Sequence, residues 1–213
     1  MGFRLHSLLP GLSAAAVPTR LQRYGMSMTA LPYDPHHYYT VDEFAALPED
    51  TSAHYELQDG VVIMSPKPVK EHMFVSFELY HQIRSQLPRG LCALGEIDVD
   101  LQLATPVVRA PDLLIAKTSV FGQRGLATAS DLLLAVEVIS PGSVRTDTVT
   151  KPVDYADAGI PHYWVIDPNP PVTATVYRLV DGAYEESQRP AGQFTVNEPC
   201  ALTIDLDALL PPS

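Results

Sequence analysis

A chain of 213 residues with 46% hydrophobic and 18% charged residues can bury one sizeable core but is short for two full domains. Its longest apolar run, Leu132 to Val136, reaches Ile139 only by passing over Glu137, which excludes a helix of the roughly 20 apolar residues needed to cross a bilayer. A formal net charge of −11 weighs against non-specific coating of nucleic acid, because phosphate neutralisation requires clustered Lys and Arg.

At the N-terminus, Arg4 precedes a patchy apolar stretch containing Ala14-Ala15-Ala16, but Gly2, His6, Pro10 and Gly11 interrupt any secretory pattern. Residues 1–38 read as a disordered tail or an over-long gene start, with Met26 or Met28 as alternative starts; residues 39–210 read as the folded domain. The two cysteines, Cys92 and Cys200, are too few for a disulfide framework and lack metal spacing, so a reducing cytoplasm is expected.

Thr40-Val41-Asp42-Glu43 has the form of a capping box, predicting a short helix from Val41 to Leu47 stopped by Pro48. Tyr55 to Gln58 and Val61 to Met64 flank Asp59-Gly60, a dipeptide suited to the positive φ angles of a hairpin turn. From Glu71 to Leu87, Met73, Phe77, Tyr80, Ile83 and Leu87 recur at three- and four-residue steps, predicting a helix with that stripe buried. Glu96 to Leu103 alternates, with Ile97, Val99, Leu101 and Leu103 on one face, as a half-wet strand does.

Pro111 to Ile115 and Leu132 to Ile139 carry unalternating apolar runs, which predicts strands covered on both faces, with a loop from Thr118 to Ser130 between them. A short helix should begin near Pro152 and end at Gly159, followed by a buried strand from His162 to Asp167. After the break at Asn169-Pro170-Pro171, Val172 to Leu179 and Ala183 to Ser187 form a hairpin around Asp181-Gly182. A last strand near Phe194 and a tail from Ile204 to Leu210 complete an α/β domain.

Glu137 is the informative anomaly: a carboxylate inside an apolar strand must be paired, protonated or bound to a metal. A salt bridge to a buried Lys or Arg would satisfy it. So would a cation shared with Asp112, which heads the other buried strand and would otherwise serve as a strand-edge cap. Oxygen ligands of this kind suit Mg²⁺ or Mn²⁺. Lys151 would add an ammonium able to orient water and stabilise phosphoryl charge, although a lone lysine before a helix is ordinarily surface. Pro152 biases the Lys151 backbone toward an extended conformation.

Glu56 alternates with Tyr55 and Leu57 and so faces either solvent or a cleft. His72, near a helix start, is more often solvated or capping than a ligand. Tyr155 and Trp164 read as core aromatics, and Asp147 and Ser140 as loop residues. Arg84, Arg89, Arg109, Arg124 and Arg145 are the candidates for a basic rim.

Taken in order, Tyr55-Glu56-Leu57-Gln58-Asp59-Gly60, Ser65-Pro66, His72, Pro111-Asp112, Glu137-Val138-Ile139-Ser140-Pro141, Asp147, Lys151, Tyr155, Ala158-Gly159-Ile160-Pro161 and Tyr163-Trp164-Val165-Ile166-Asp167-Pro168 resemble the Uma2 family over residues 39–210. The resemblance implies a restriction endonuclease-like fold of the PD-(D/E)xK superfamily. That fold is a mixed central sheet flanked by helices, here with N- and C-terminal β-hairpins, and it cleaves DNA with a divalent metal. Carried over by position, Asp112 and Glu137 would ligate Mg²⁺ or Mn²⁺, with the Val138 carbonyl as a further ligand. Lys151 would serve the attacking water, Glu56 would be an additional acid, and His72, Tyr155 and Ser140 would be accessory. Ile139 stands where the superfamily pattern has lysine, a place the resemblance transfers to Lys151.

DNA is the implied substrate and a homodimer the implied assembly. Two other readings stand beside it: an inactive nuclease fold that binds nucleic acid or protein, and a metal-free hydrolase with two carboxylates. A single tryptophan argues against the sugar cleft the latter would need.

Overall fold

The computed structural model describes residues 33–48, 53–65 and 68–211. The expectations for the first 32 residues and for Pro66 lie outside these residues. Helix α1 (Val41–Ala45) starts as the capping box requires, with the Thr40 hydroxyl accepting the Glu43 N–H and the Glu43 carboxylate accepting the Thr40 N–H. Strands β1 (His54–Gln58) and β2 (Val61–Ser65) form the expected hairpin, with Asp59 at φ 50° and Gly60 at φ 78°. Tyr33 meets Tyr55 edge-on at 5.5 Å, so the chain already packs on this hairpin six residues ahead of Tyr39.

Helix α2 (Lys70–Gln86) occupies the expected span and buries Ile83 of the expected stripe, with Tyr80 and Leu87 packed against the core, but its buried line otherwise runs through His72, Val75 and Leu79. Phe77, expected inside, is 63% exposed. Both stripes satisfy helical spacing, and the choice falls to the face that meets the core formed by Leu113, Ile115, Leu134, Val136, Phe194, Leu202 and Ile204. The strand expected from Glu96 to Leu103 shrinks to β4 (Val99–Asp100), because Glu96 and Gln102 take positive φ angles of 50° and 55°. Its alternation survives as burial, with Val99 and Leu101 in the core.

The other strands are β3 (Leu91–Leu94), β5 (Val108–Arg109), β6 (Leu113–Lys117), β7 (Ala127–Thr128), β8 (Leu132–Val138), β9 (His162–Asp167), β10 (Thr173–Val180), β11 (Ala183–Gln188), β12 (Gln193–Val196) and β13 (Leu202–Asp205). Among the described residues they form a mixed sheet in the order β11-β10-β9-β8-β6-β3, a second sheet in the order β2-β1-β5-β4-β7, and the pair β12-β13. The first is the central sheet of an α/β fold, and β8 and β9 are parallel within it. Helix α3 (Lys151–Asp157) follows a π-helical turn, Thr146–Thr150, so the helical segment begins earlier than Pro152 suggested. No helix among the described residues is long and apolar enough to cross a membrane.

The two faces of the central sheet are covered differently. Leu113, Ile115, Leu134, Val136 and Val138 pack against α2 and the β12-β13 pair. Leu114, Ala116 and Ala135 face Tyr155, Ile160 and Tyr163. Side chains alternate along a strand, so Glu137 falls with Ala135 on this second face, toward α3.

Candidate active site

Strands β6 and β8 are antiparallel, with Leu113 opposite Val136 and Leu114 opposite Ala135. Asp112, at the bend directly ahead of β6, and Glu137, the residue after Val136, come together at this end of the pairing, so two acids 25 positions apart in the chain line one cavity of about 440 Å³ with Glu56, His72, Asp147 and Lys151. Val138 and Ser140 border the same cavity. Glu137 is 1% exposed. Burial pushes its carboxyl pKa well up, and the neighbouring charges of Asp112 and Asp147 add to the rise against the opposing pull of Lys151.

Lys151 is helical, at φ −59° and ψ −38°, rather than extended. The bias imposed by Pro152 is overcome because helical backbone already runs into it from the π turn, where the Lys151 N–H bonds the Thr146 carbonyl. The π turn carries Asp147 and Lys151 to the same side, and the Tyr163 hydroxyl fastens it by donating to the Asp147 carbonyl at 2.6 Å. The Lys151 ammonium lies 2.8 Å from Glu137 Oε1, 3.5 Å from Asp147 Oδ1 and 3.6 Å from Glu56 Oε1. Burial would lower its pKa, but these three carboxylates outweigh burial and hold it far above the ordinary lysine value. It is a fixed cation and a hydrogen-bond donor, not a base.

Tyr155 is fully buried, as a core aromatic should be, and it also donates its hydroxyl to Glu137 Oε1 at 2.8 Å. Tyr155 and Lys151 therefore engage the same carboxylate oxygen. His72 is buried rather than solvated, and its Nε2 lies 3.0 Å from Asp112 Oδ2, which also accepts the Val138 N–H at 2.7 Å. Burial pushes His72 down, but the hydrogen bond and charge of Asp112 outweigh it and raise its pKa above the usual value.

Glu56 faces the cavity side of β1, opposite the buried Leu57. It is held by the Arg109 guanidinium at 2.9 Å and by the Ala110 N–H at 3.2 Å. Burial raises its pKa, yet Lys151, Arg109 and the Ala110 amide more than reverse that, leaving a carboxylate below its ordinary range. Arg109 is not a rim residue: it is 0% exposed and also bonds Asp154 and Gln58. Its setting among Val107, Val108 and Ala110 is the same anomaly that marks Glu137, a charge within an apolar run, and was the signal available in the sequence. Arg84, Arg89, Arg124 and Arg145 are exposed.

Five carboxylates, of Glu56, Asp112, Glu137, Asp147 and Asp154, thus face the permanent cations Lys151 and Arg109 and the titratable His72. Buried negative charge in excess of positive is relieved by a proton, as the raised Glu137 pKa indicates, or by a cation. No three His, Cys, Asp or Glu side chains among the described residues form a ready-made cage. The donors present fit a hard divalent ion that takes one or two carboxylates and keeps several waters.

A family model named Uma2 and described as "Putative restriction endonuclease" matches residues 41–208. In fold, the chain is similar to the crystal structure of a "putative nuclease belonging to DUF820" from Anabaena variabilis ATCC 29413. The identity is 24%, the match covers 81% of this chain and 99% of that one, and the TM-score is 0.61. No curated protein matches the chain.

Proposed function

The chain belongs to the Uma2 family, and from that premise we propose that it is a divalent-metal-dependent endonuclease that hydrolyses DNA phosphodiester bonds. The observation that carries this reading is that Asp112 and Glu137 line one cavity with Lys151, whose ammonium lies 2.8 Å from Glu137. Asp112 and Glu137, with the Val138 carbonyl, would hold Mg²⁺ or Mn²⁺. When bound, such an ion supplies positive charge to the scissile phosphate and makes water more acidic.

The residues of the chain divide the remaining work. Lys151, held protonated by its three carboxylates, donates hydrogen bonds to the attacking water and to the phosphoryl oxygens as charge builds on them. His72 and the Val138 N–H fix the orientation of the Asp112 carboxylate. The Tyr155 hydroxyl fixes Glu137, and Glu56 and Asp147 complete the seat of the ammonium. Ser140 borders the cavity as an accessory residue. Cutting both strands of a duplex requires two such sites, so the proposed assembly is a homodimer, and the proposed setting is the cytoplasm.

Plasmid cleavage with and without Mg²⁺ or Mn²⁺ tests the reading. Wild type should nick DNA only with the ion, and Glu137→Ala and Lys151→Ala should each lose about 100-fold or more. Equal nicking by all three proteins would reveal a contaminant and sink the assignment. An inactive binding module would instead show no calorimetric Mn²⁺ binding that Asp112→Asn abolishes.

A further inference from the structure

Among the described residues, Arg109 is the largest charged side chain with no exposure to solvent. It sits on the two-residue strand β5, yet its guanidinium reaches three side chains on two other elements at once. Nη1 donates to Glu56 Oε2 on β1 at 2.9 Å, and Nη2 donates to Gln58 Oε1 on the same strand at 3.1 Å. Nε and Nη2 both donate to Asp154 Oδ2 on α3, at 3.0 and 2.6 Å. Asp154 lies one helical turn beyond Lys151, and Glu56 touches the Lys151 ammonium through its other oxygen.

We infer that Arg109 is a positioning residue that sets the location of the Lys151 ammonium by two routes, the α3 backbone through Asp154 and the carboxylate of Glu56. The inference rests on the role proposed above for Lys151. Stability alone is a poor account of the network, since buried ion pairs recover little more than the cost of taking their charges out of water and apolar residues of similar volume often replace them without loss. What apolar packing cannot supply is direction. A planar guanidinium with its donors in a rigid fork holds two carboxylates at fixed angles, and both of those carboxylates bear on Lys151. Lysine at position 109 would keep the charge and lose the fork.

The test reads Lys151 directly. Acetylation by an N-hydroxysuccinimide ester, followed by mass spectrometry, should label Lys151 in the wild type far more slowly than the exposed Lys70 and Lys117. In Arg109→Lys, and independently in Asp154→Asn should the first fail to fold, labelling of Lys151 should rise several-fold while Lys70 and Lys117 stay constant. DNA turnover should fall about 10- to 100-fold with KM and Mn²⁺ affinity little changed. Unchanged Lys151 labelling and turnover in both variants would overturn the inference, as would a uniform rise at all lysines, which marks general loosening. A wild type that fails to cleave DNA would count against the endonuclease reading alone, because the labelling result still decides whether Arg109 places Lys151.

Discussion

Asp112 Oδ2 accepts the main-chain N–H of Val138 at 2.7 Å, so the acid heading one central strand is fastened to the backbone of the next, one residue past Glu137. This bond locks the spacing of the two acids independently of any ion. Asp112→Asn keeps an oxygen for the Val138 N–H, whereas Asp112→Ala leaves that amide unmet. Urea denaturation should therefore find Asp112→Ala about 1–3 kcal/mol less stable than Asp112→Asn. Both variants should lose calorimetric Mn²⁺ binding. Equal stabilities would show that the bond does not fasten the strands.

Protons and cations should compete at Glu137. Burial, reinforced by Asp112 and Asp147, raises its folded pKa above the unfolded value. Its contribution to stability is therefore present below the ordinary carboxylate pKa and is lost as pH rises through the raised folded value. A divalent ion that replaces the proton should stabilise the protein increasingly over that same rise in pH. At Mn²⁺ concentrations 100-fold above Kd the melting temperature should climb by about 5–10 °C. The increment should vanish in Glu137→Gln, and a shift in wild type that ignored pH would contradict the competition.

The two candidate stripes of α2 make opposite predictions. Leu79 is fully buried, so Leu79→Ala should cost about 2–5 kcal/mol by chemical denaturation. Phe77 is 63% exposed, so Phe77→Ser should change stability by no more than about 0.5 kcal/mol. The reverse order would restore the stripe that spacing alone suggested.

Arg145 is exposed beside the cavity-lining Ser143 and Thr146, where a phosphate of bound DNA would pass. In a Glu137→Ala background that cannot cut, Arg145→Ala should weaken DNA binding and flatten the plot of log affinity against log salt by about 0.9. An unchanged slope by fluorescence anisotropy would place the DNA path elsewhere.

Features written in neighbouring residues were legible without coordinates. The Thr40-Glu43 capping box, the Asp59-Gly60 turn, the doubly covered strands and the misfit of Glu137 in an apolar run all depend on backbone preference or period. The order of motifs carried the family. Tertiary structure decided which side chains meet. His72 and Asp112 are 40 positions apart, Arg109 and Asp154 are 45 apart, and Arg109 and Glu56 are 53 apart. The apolar neighbours of Arg109 mark it as out of place but name none of its partners, and helical spacing alone does not choose the Val75-Leu79 face of α2 over the Phe77 face. A charge is tolerated inside only where its partners arrive, and strand register and helix docking bring them there.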